Sequence, residues 1–105
     1  KKYIVKVKNK KILEKYLLKK LLSNNINLIC LAGFMKILSG NFIKNFAKPI
    51  LNIHPSLLPK YKGLKTHKRV IENKEKYSGS TVHLVTAKLD CGKIILQKKI
   101  KISKN

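Results

Sequence analysis

Between Lys10 and Ser23 the apolar residues Ile12, Leu13, Tyr16, Leu17, Leu18, Leu21 and Leu22 recur among lysines. This is the 3.6-residue rhythm of an amphipathic helix, which Asn9 can cap and Ser23-Asn24-Asn25 can end. Upstream, Tyr3 to Val7 alternates apolar and basic residues and predicts a short strand or an extended lead-in. Asn27 to Ala32 is almost continuously apolar, as expected of a strand buried on both faces of a parallel sheet. Cys30 then reads as a small core residue, and Gly33 lets the chain turn at once. Ser39 is placed to cap a short helix running to about Phe46. Ile50 to His54 predicts the next strand, and Thr66 to about Asn73 a helix with Val70 and Ile71 at helical spacing. Gly79 to Thr86 alternates as a strand does, Ala87 to Gly92 is a loop, and Ile94 to Gln97 with Ile100 and Ile102 makes a final strand.

Helix and strand in alternation predict an α/β fold with a mostly parallel sheet flanked by helices. The last two strands are close enough in sequence to form an antiparallel edge. No repeat, low-complexity tract or linker divides the 105 residues, which read as one domain or part of one. A first residue of Lys1 rather than Met suggests a piece of a longer chain. No apolar run reaches membrane-spanning length and no signal-peptide pattern is visible, so a cytoplasmic protein is expected.

Charge changes the picture only in part. The formal net charge is +21, from 25 Lys and Arg against Glu14, Glu72, Glu75 and Asp90. Such a balance raises the question of a polyanionic partner. Yet Arg69 is the one arginine, and arginine is the side chain suited to bidentate contacts with guanine and phosphate. The lysines are spread along the chain rather than gathered in a block, and only seven Phe and Tyr offer stacking surface. These residue types speak against nucleic acid as the main partner. His54, His67, His83, Cys30 and Cys91 lack metal-ligand spacing, so no metal is expected.

Candidate chemistry gathers at Ile50-Leu51-Asn52-Ile53-His54-Pro55-Ser56-Leu57-Leu58-Pro59, a strand running into a proline-bracketed loop. On a strand, residues two apart share a side, so Asn52 and His54 project together. Asp90 is the sole aspartate and lies in a turn before the last strand. Folded over the end of the Ile50–His54 strand, its carboxylate would favour the protonated imidazole and keep an acid available near neutral pH. The Asn52 amide could donate to an oxyanion formed when a carbonyl is attacked. The plainer alternative is a structural His54, a turn-forming Asp90 and an Asn52 that ties down the loop.

Leu31-Ala32-Gly33-Phe34-Met35-Lys36-Ile37-Leu38, the run from Leu51 to Leu64 with Thr66-His67, Gly79 to His83, and Leu89-Asp90 together resemble the glycinamide ribonucleotide (phosphoribosylglycinamide) formyltransferase family. Asn-Ile-His-Pro-Ser alone would indicate only the wider formyltransferase superfamily. The resemblance implies a Rossmann-like formyltransferase fold. It implies formyl transfer from 10-formyltetrahydrofolate to the amine of glycinamide ribonucleotide, in purine synthesis. By the same resemblance His54 is the proton donor, Asn52 the amide at the formyl group, and Asp90 the carboxylate that supports the histidine. Met35, Lys36, Ile37 and Leu38 match the segment lining the folate pocket, Asn52 also meets the folate's formyl group, and Lys10 falls where the family has a basic folate contact. His83 matches a histidine near the active site, although an alternating strand also explains it by packing.

The family's glycine-rich phosphate loop and C-terminal segment have no counterpart here. Gly33, Gly40, Gly63, Gly79 and Gly92 are isolated and do not supply consecutive N–H groups for one anion. The chain is therefore expected to hold much of the folate side and the three catalytic positions, and to turn over poorly alone. Lys65 and Lys93 depart from the family's usual residues. A homodimer is left open. The alternatives are another folate-dependent enzyme, such as methionyl-tRNA formyltransferase, and a non-catalytic basic nucleic-acid-binding module.

Overall fold

A computed structural model describes residues 2–34 and 36–103. Seven elements follow in the order α1 (Lys10–Ser23), β1 (Ile29–Leu31), α2 (Gly40–Phe46), β2 (Ile50–His54), α3 (Thr66–Glu72), β3 (Tyr77–Leu84) and β4 (Ile94–Lys101). Local chemistry sets their ends. Asn9 accepts the Ile12 N–H at 3.1 Å and opens α1. Ser39 accepts the Phe42 N–H at 3.1 Å and opens α2. Glu14 of α1 in turn accepts from both the backbone N–H and the hydroxyl of Ser39, which ties the two helices together.

The four strands form one sheet in chain order. β1 and β2 are parallel, whereas β2–β3 and β3–β4 are antiparallel. The expectation of a mostly parallel sheet therefore holds for the first pair only, and the sheet is mixed. A parallel return needs a crossover along the full strand length. Here the segment carrying α3 delivers the chain to β3 beyond the His54 end of β2, so that it runs back along β2 without a crossover.

Two further expectations change. Tyr3–Val7 forms no strand and leads into α1 without regular secondary structure. Cys30 is exposed rather than a core residue, because β1 has one neighbouring strand among the described residues and does not have both faces covered. Ile71 is also outside the core, while its neighbour Val70 is buried.

Cross-strand partners share a face. Asn52 lies opposite His83, and His54 opposite Thr81, which in turn faces Gln97 of β4. Ile50 lies on that same face and joins Leu38, Phe42 and Phe46 in the buried apolar cluster, against which Leu17, Leu18 and Leu21 of α1 pack. One face of the sheet thus carries the core at the start of β2 and the polar residues at its end. The other face presents Leu51, Ile53, Val82 and Leu96, of which Ile53 and Leu96 are exposed. Among the described residues no helix is long and apolar enough to cross a membrane.

Candidate active site

β2 delivers Asn52 and His54 to one side of the sheet, and the loop that follows folds back over them. The loop is held from beneath by Thr81, which is fully buried. Its hydroxyl donates to the Ser56 carbonyl at 2.7 Å and accepts the Leu58 N–H at 3.1 Å. Ser56 donates its hydroxyl to the Lys60 carbonyl at 2.6 Å, and the Leu58–Pro59 peptide is cis. Tyr61, Gly63, Lys65 and Asp90 all have positive φ, at 56°, 86°, 55° and 50°. Only Gly63 adopts that region without a steric penalty. Such backbone, gathered around one cluster of polar side chains, is characteristic of a functional site.

This loop grips both members of the central pair. His54 Nε2 donates to the Tyr61 carbonyl at 2.9 Å, and Gly63 N–H donates to Asp90 Oδ2 at 2.9 Å. His54 Nδ1 then lies 3.6 Å from the same Asp90 oxygen, with both side chains buried. That is ion-pair range and longer than a hydrogen bond. Both neighbours of the ring are acceptors: the Tyr61 carbonyl receives Nε2–H, and the Asp90 carboxylate stands on the Nδ1 side. The turn that carries Asp90 lies close against β3: a Cβ at Gly92 would collide with the Leu84 carbonyl, so glycine is required there. Tyr61 is fixed at its other end as well, through its hydroxyl's 2.8 Å bond to Glu75. Accepting that proton raises the phenol pKa above its ordinary value.

His83 joins the same cluster. It is buried on β3, with Nε2 3.8 Å from Asp90 Oδ1 and 3.3 Å from Asn52 Nδ2. Its Nδ1 donates to the Leu84 carbonyl at 3.0 Å, which leaves Nε2 free to accept from the Asn52 amide. One neutral tautomer satisfies both contacts. Two histidines therefore flank one carboxylate in different company: His54 has the Tyr61 carbonyl as its other neighbour, and His83 has the Leu84 carbonyl and the Asn52 amide.

Asn52, His54 and Asp90 line a cavity of about 540 Å³, together with His83. The wall opposite is apolar, built from Gly33, Phe34, Ile37, Leu38 and Leu64, with Lys36, Lys65 and Lys88 also lining it. The structure thus brings together the three expected catalytic positions and places Lys36, Ile37 and Leu38 on the same cavity. Met35 lies outside the described residues. Lys10 does not line the cavity; it begins α1, exposed, in the layer that packs on α2. An exposed cation at a helix start has no geometry here for contacting a ligand in the cavity. The residues underweighted by sequence reasoning are His83, Thr81 and Ser56. A signal for the first two was present, since Thr81 and His83 alternate with Val82 and Leu84 as Asn52 and His54 alternate with Leu51 and Ile53. Matching parity places both polar pairs on one face once the strands are known to pair. Chemically, the arrangement offers a proton donor, an amide donor and a supporting carboxylate at the end of an apolar cavity.

Comparison with known proteins agrees with this geometry. The formyl transferase family matches residues 3–105. The phosphoribosylglycinamide formyltransferase of Escherichia coli (strain K12) is 51% identical over 76 residues, covering 72% of this chain and 36% of that enzyme. The Haemophilus influenzae enzyme of the same name is 54% identical over 77 residues, covering 73% and 36%. The crystal structure of glycinamide ribonucleotide transformylase 1 from Symbiobacterium toebii superposes with a TM-score of 0.86 at 38% identity, over 91% of this chain and 45% of that one. The chain therefore spans between a third and a half of these relatives. A family match over nearly its whole length, with the same fold, establishes that the chain belongs to the formyl transferase family.

Proposed function

We propose that this chain holds the formyl-donor side and the proton-transfer centre of a glycinamide ribonucleotide formyltransferase. In this reading its 105 residues are one partial formyltransferase domain of a soluble, cytoplasmic enzyme of purine synthesis. The substrates are 10-formyltetrahydrofolate and glycinamide ribonucleotide. The observation that carries the proposal is the buried Asp90 carboxylate set against His54, with Asn52 beside them, at the end of an apolar-walled cavity. The names of the related enzymes and the likeness to the transformylase structure support it.

The chemistry is a direct transfer. The substrate amine forms a bond to the formyl carbon, and the carbonyl electrons move onto oxygen. Asn52 Nδ2–H and the His54 ring donate to that oxygen, where two aimed donors have their largest effect. The electrons then return, the bond from the formyl carbon to the folate nitrogen breaks, and that nitrogen takes a proton. The amine loses one proton, so the balance closes with formamide and unformylated folate. In the structure His54 Nε2 is engaged by the Tyr61 carbonyl, so substrate replaces this contact when the ring turns to its task. Asp90 keeps the ring's other nitrogen supplied with an acceptor. Lys36, Ile37 and Leu38 border the donor's side of the cavity, with Met35 between them and Phe34 in sequence.

The test is a fluorescence titration with a 10-formyl folate analogue, competed by a single-stranded oligonucleotide at moderate salt. Saturable binding is expected, without displacement by the oligonucleotide. Ile37 is exposed on the cavity wall, and Ile37→Asp should weaken binding by about tenfold or more through lost apolar contact. Oligonucleotide binding without folate binding by folded protein would instead favour a basic nucleic-acid-binding module.

A further inference from the structure

The His54 ring is oriented by a backbone carbonyl, and the direction of that carbonyl is set elsewhere in the fold. Tyr61 sits at φ 56°, in a conformation that the loop must impose on it. The loop is pinned midway at Leu58, which is buried. Thr81 takes the Leu58 N–H, and the Gln97 side-chain amide of β4 donates to the Leu58 carbonyl at 2.7 Å. The same Gln97 nitrogen donates to Thr81 Oγ1 at 3.0 Å. The accounting at Thr81 is complete: its single proton goes to the Ser56 carbonyl, and its two lone pairs receive Leu58 N–H and Gln97. Gln97 therefore fixes Leu58 directly and fixes the hydroxyl that holds Ser56. From Ser56 the bonds run to the carbonyls of Lys60 and Tyr61, at 2.6 and 3.4 Å, and from Tyr61 to His54.

We propose that Gln97, which does not line the cavity, is a positioning residue for His54 acting through the Leu58–Tyr61 loop. The consequence for catalysis rests on the formyltransferase reading, but the positioning itself is a property of this fold. Gln97 shares its face with Thr81 and His54 through strand register, so the amide sits where a strand two places away can brace the loop. The whole of β4, Gln97 included, is exposed, and what sets Gln97 apart is its two donated hydrogen bonds.

Two substitutions separate positioning from packing. Gln97→Met keeps the length of the side chain and removes both donated bonds. Gln97→Glu keeps its shape and sets a carboxylate against the Leu58 carbonyl. The readout is the ring N–H and nitrogen signals of His54 and His83 by ¹⁵N NMR on the 105-residue chain. His83 serves as the internal reference, because its hydrogen-bond partners Leu84 and Asn52 lie outside the loop and only its longer 3.8 Å approach to Asp90 touches the set around His54. In either folded variant the His54 Nε2–H should exchange about tenfold faster, as loss of one anchoring hydrogen bond implies, with His83 unchanged. Where the unsubstituted chain transfers formyl groups, kcat should fall with KM for the donor unchanged. An unaltered His54 signal in a folded variant would overturn the proposal. So would equal change at both histidines, or unfolding of both variants, since either would make Gln97 a general structural residue. A folded chain that binds no folate analogue would count against the formyltransferase reading alone and leave the NMR result to decide this one.

Discussion

The two faces of the sheet use their residues in opposite ways. Among the described residues five polar residues (His54, Ser56, Thr66, Thr81 and His83) are buried beside six apolar ones, and His54, Thr81 and His83 share one face of the sheet with Ile50. Among the described residues no buried side-chain nitrogen or oxygen there lacks a partner. On the opposite face, and along β4, apolar side chains stand open: Ile53, Leu96 and Ile100 are each about half exposed or more. The contrast teaches that this part of the fold is specified less by the size of its core than by a closed set of hydrogen bonds around one loop. Buried polar groups of this kind are costly when any partner is missing. They consequently hold a single geometry around His54 and Asp90.

The largest expected effect tests the apolar side of that statement. Phe46 is almost completely buried at the end of α2, within the cluster of Leu38, Phe42 and Ile50. Phe46→Ala should destabilise the chain by about 3–5 kcal/mol, the usual cost of emptying an aromatic site in a core. Urea denaturation followed by circular dichroism measures it. A cost under about 1 kcal/mol would mean that the small core contributes little and that the polar loop is nearly self-sufficient.

Thr81→Val is the matching test on the polar side and should have a smaller effect. Valine keeps the shape of threonine but removes the hydroxyl, which leaves the Leu58 N–H and the Ser56 carbonyl without the partner they share. The expected loss is about 1–3 kcal/mol for buried groups left unsatisfied. The same denaturation series reads it, and proteolysis within residues 55–65 should speed up before the rest of the chain unfolds. If stability is unchanged, water or another group replaces the hydroxyl, and the loop is less tightly specified than its hydrogen bonds indicate.

Much of this architecture is legible in the sequence, because helix caps and strand ends are local matters. Asn9 and Ser39 cap α1 and α2 as their positions predict, and the bounds of β2 follow from the apolar run and the prolines. The convergence of Asp90 on His54 is what the family resemblance implies; the residues alone allow it only if the Asp90 turn folds over the end of β2. What the sequence does not disclose is pairing at a distance. The antiparallel entry of β3 depends on which end of β2 the loop and α3 return the chain to, and no periodicity reports that. The Thr81–Leu58–Gln97 bonds depend on register across three strands, so Thr81 and Gln97 read as ordinary strand residues until the sheet is assembled. Cys30 shows the converse error. An apolar run predicts burial only where the fold supplies something on both sides, and β1 has one neighbour among the described residues.

The smallest expected effect lies on the open face. Leu96 pairs with Val82 and stands away from the site face, with 65% of its surface exposed. Leu96→Gln should change stability by less than about 0.5 kcal/mol, since an exposed side chain loses little on becoming polar. The informative result would be the opposite one. A loss above about 1 kcal/mol would mean that Leu96 is covered in solution, and its dependence on protein concentration would then distinguish the possible sources of cover. A loss that grows with concentration points to association of copies through this face, whereas a constant loss points to repacking within the chain. Either result would remove the contrast between the faces, because the apolar side would then be paired in its own way.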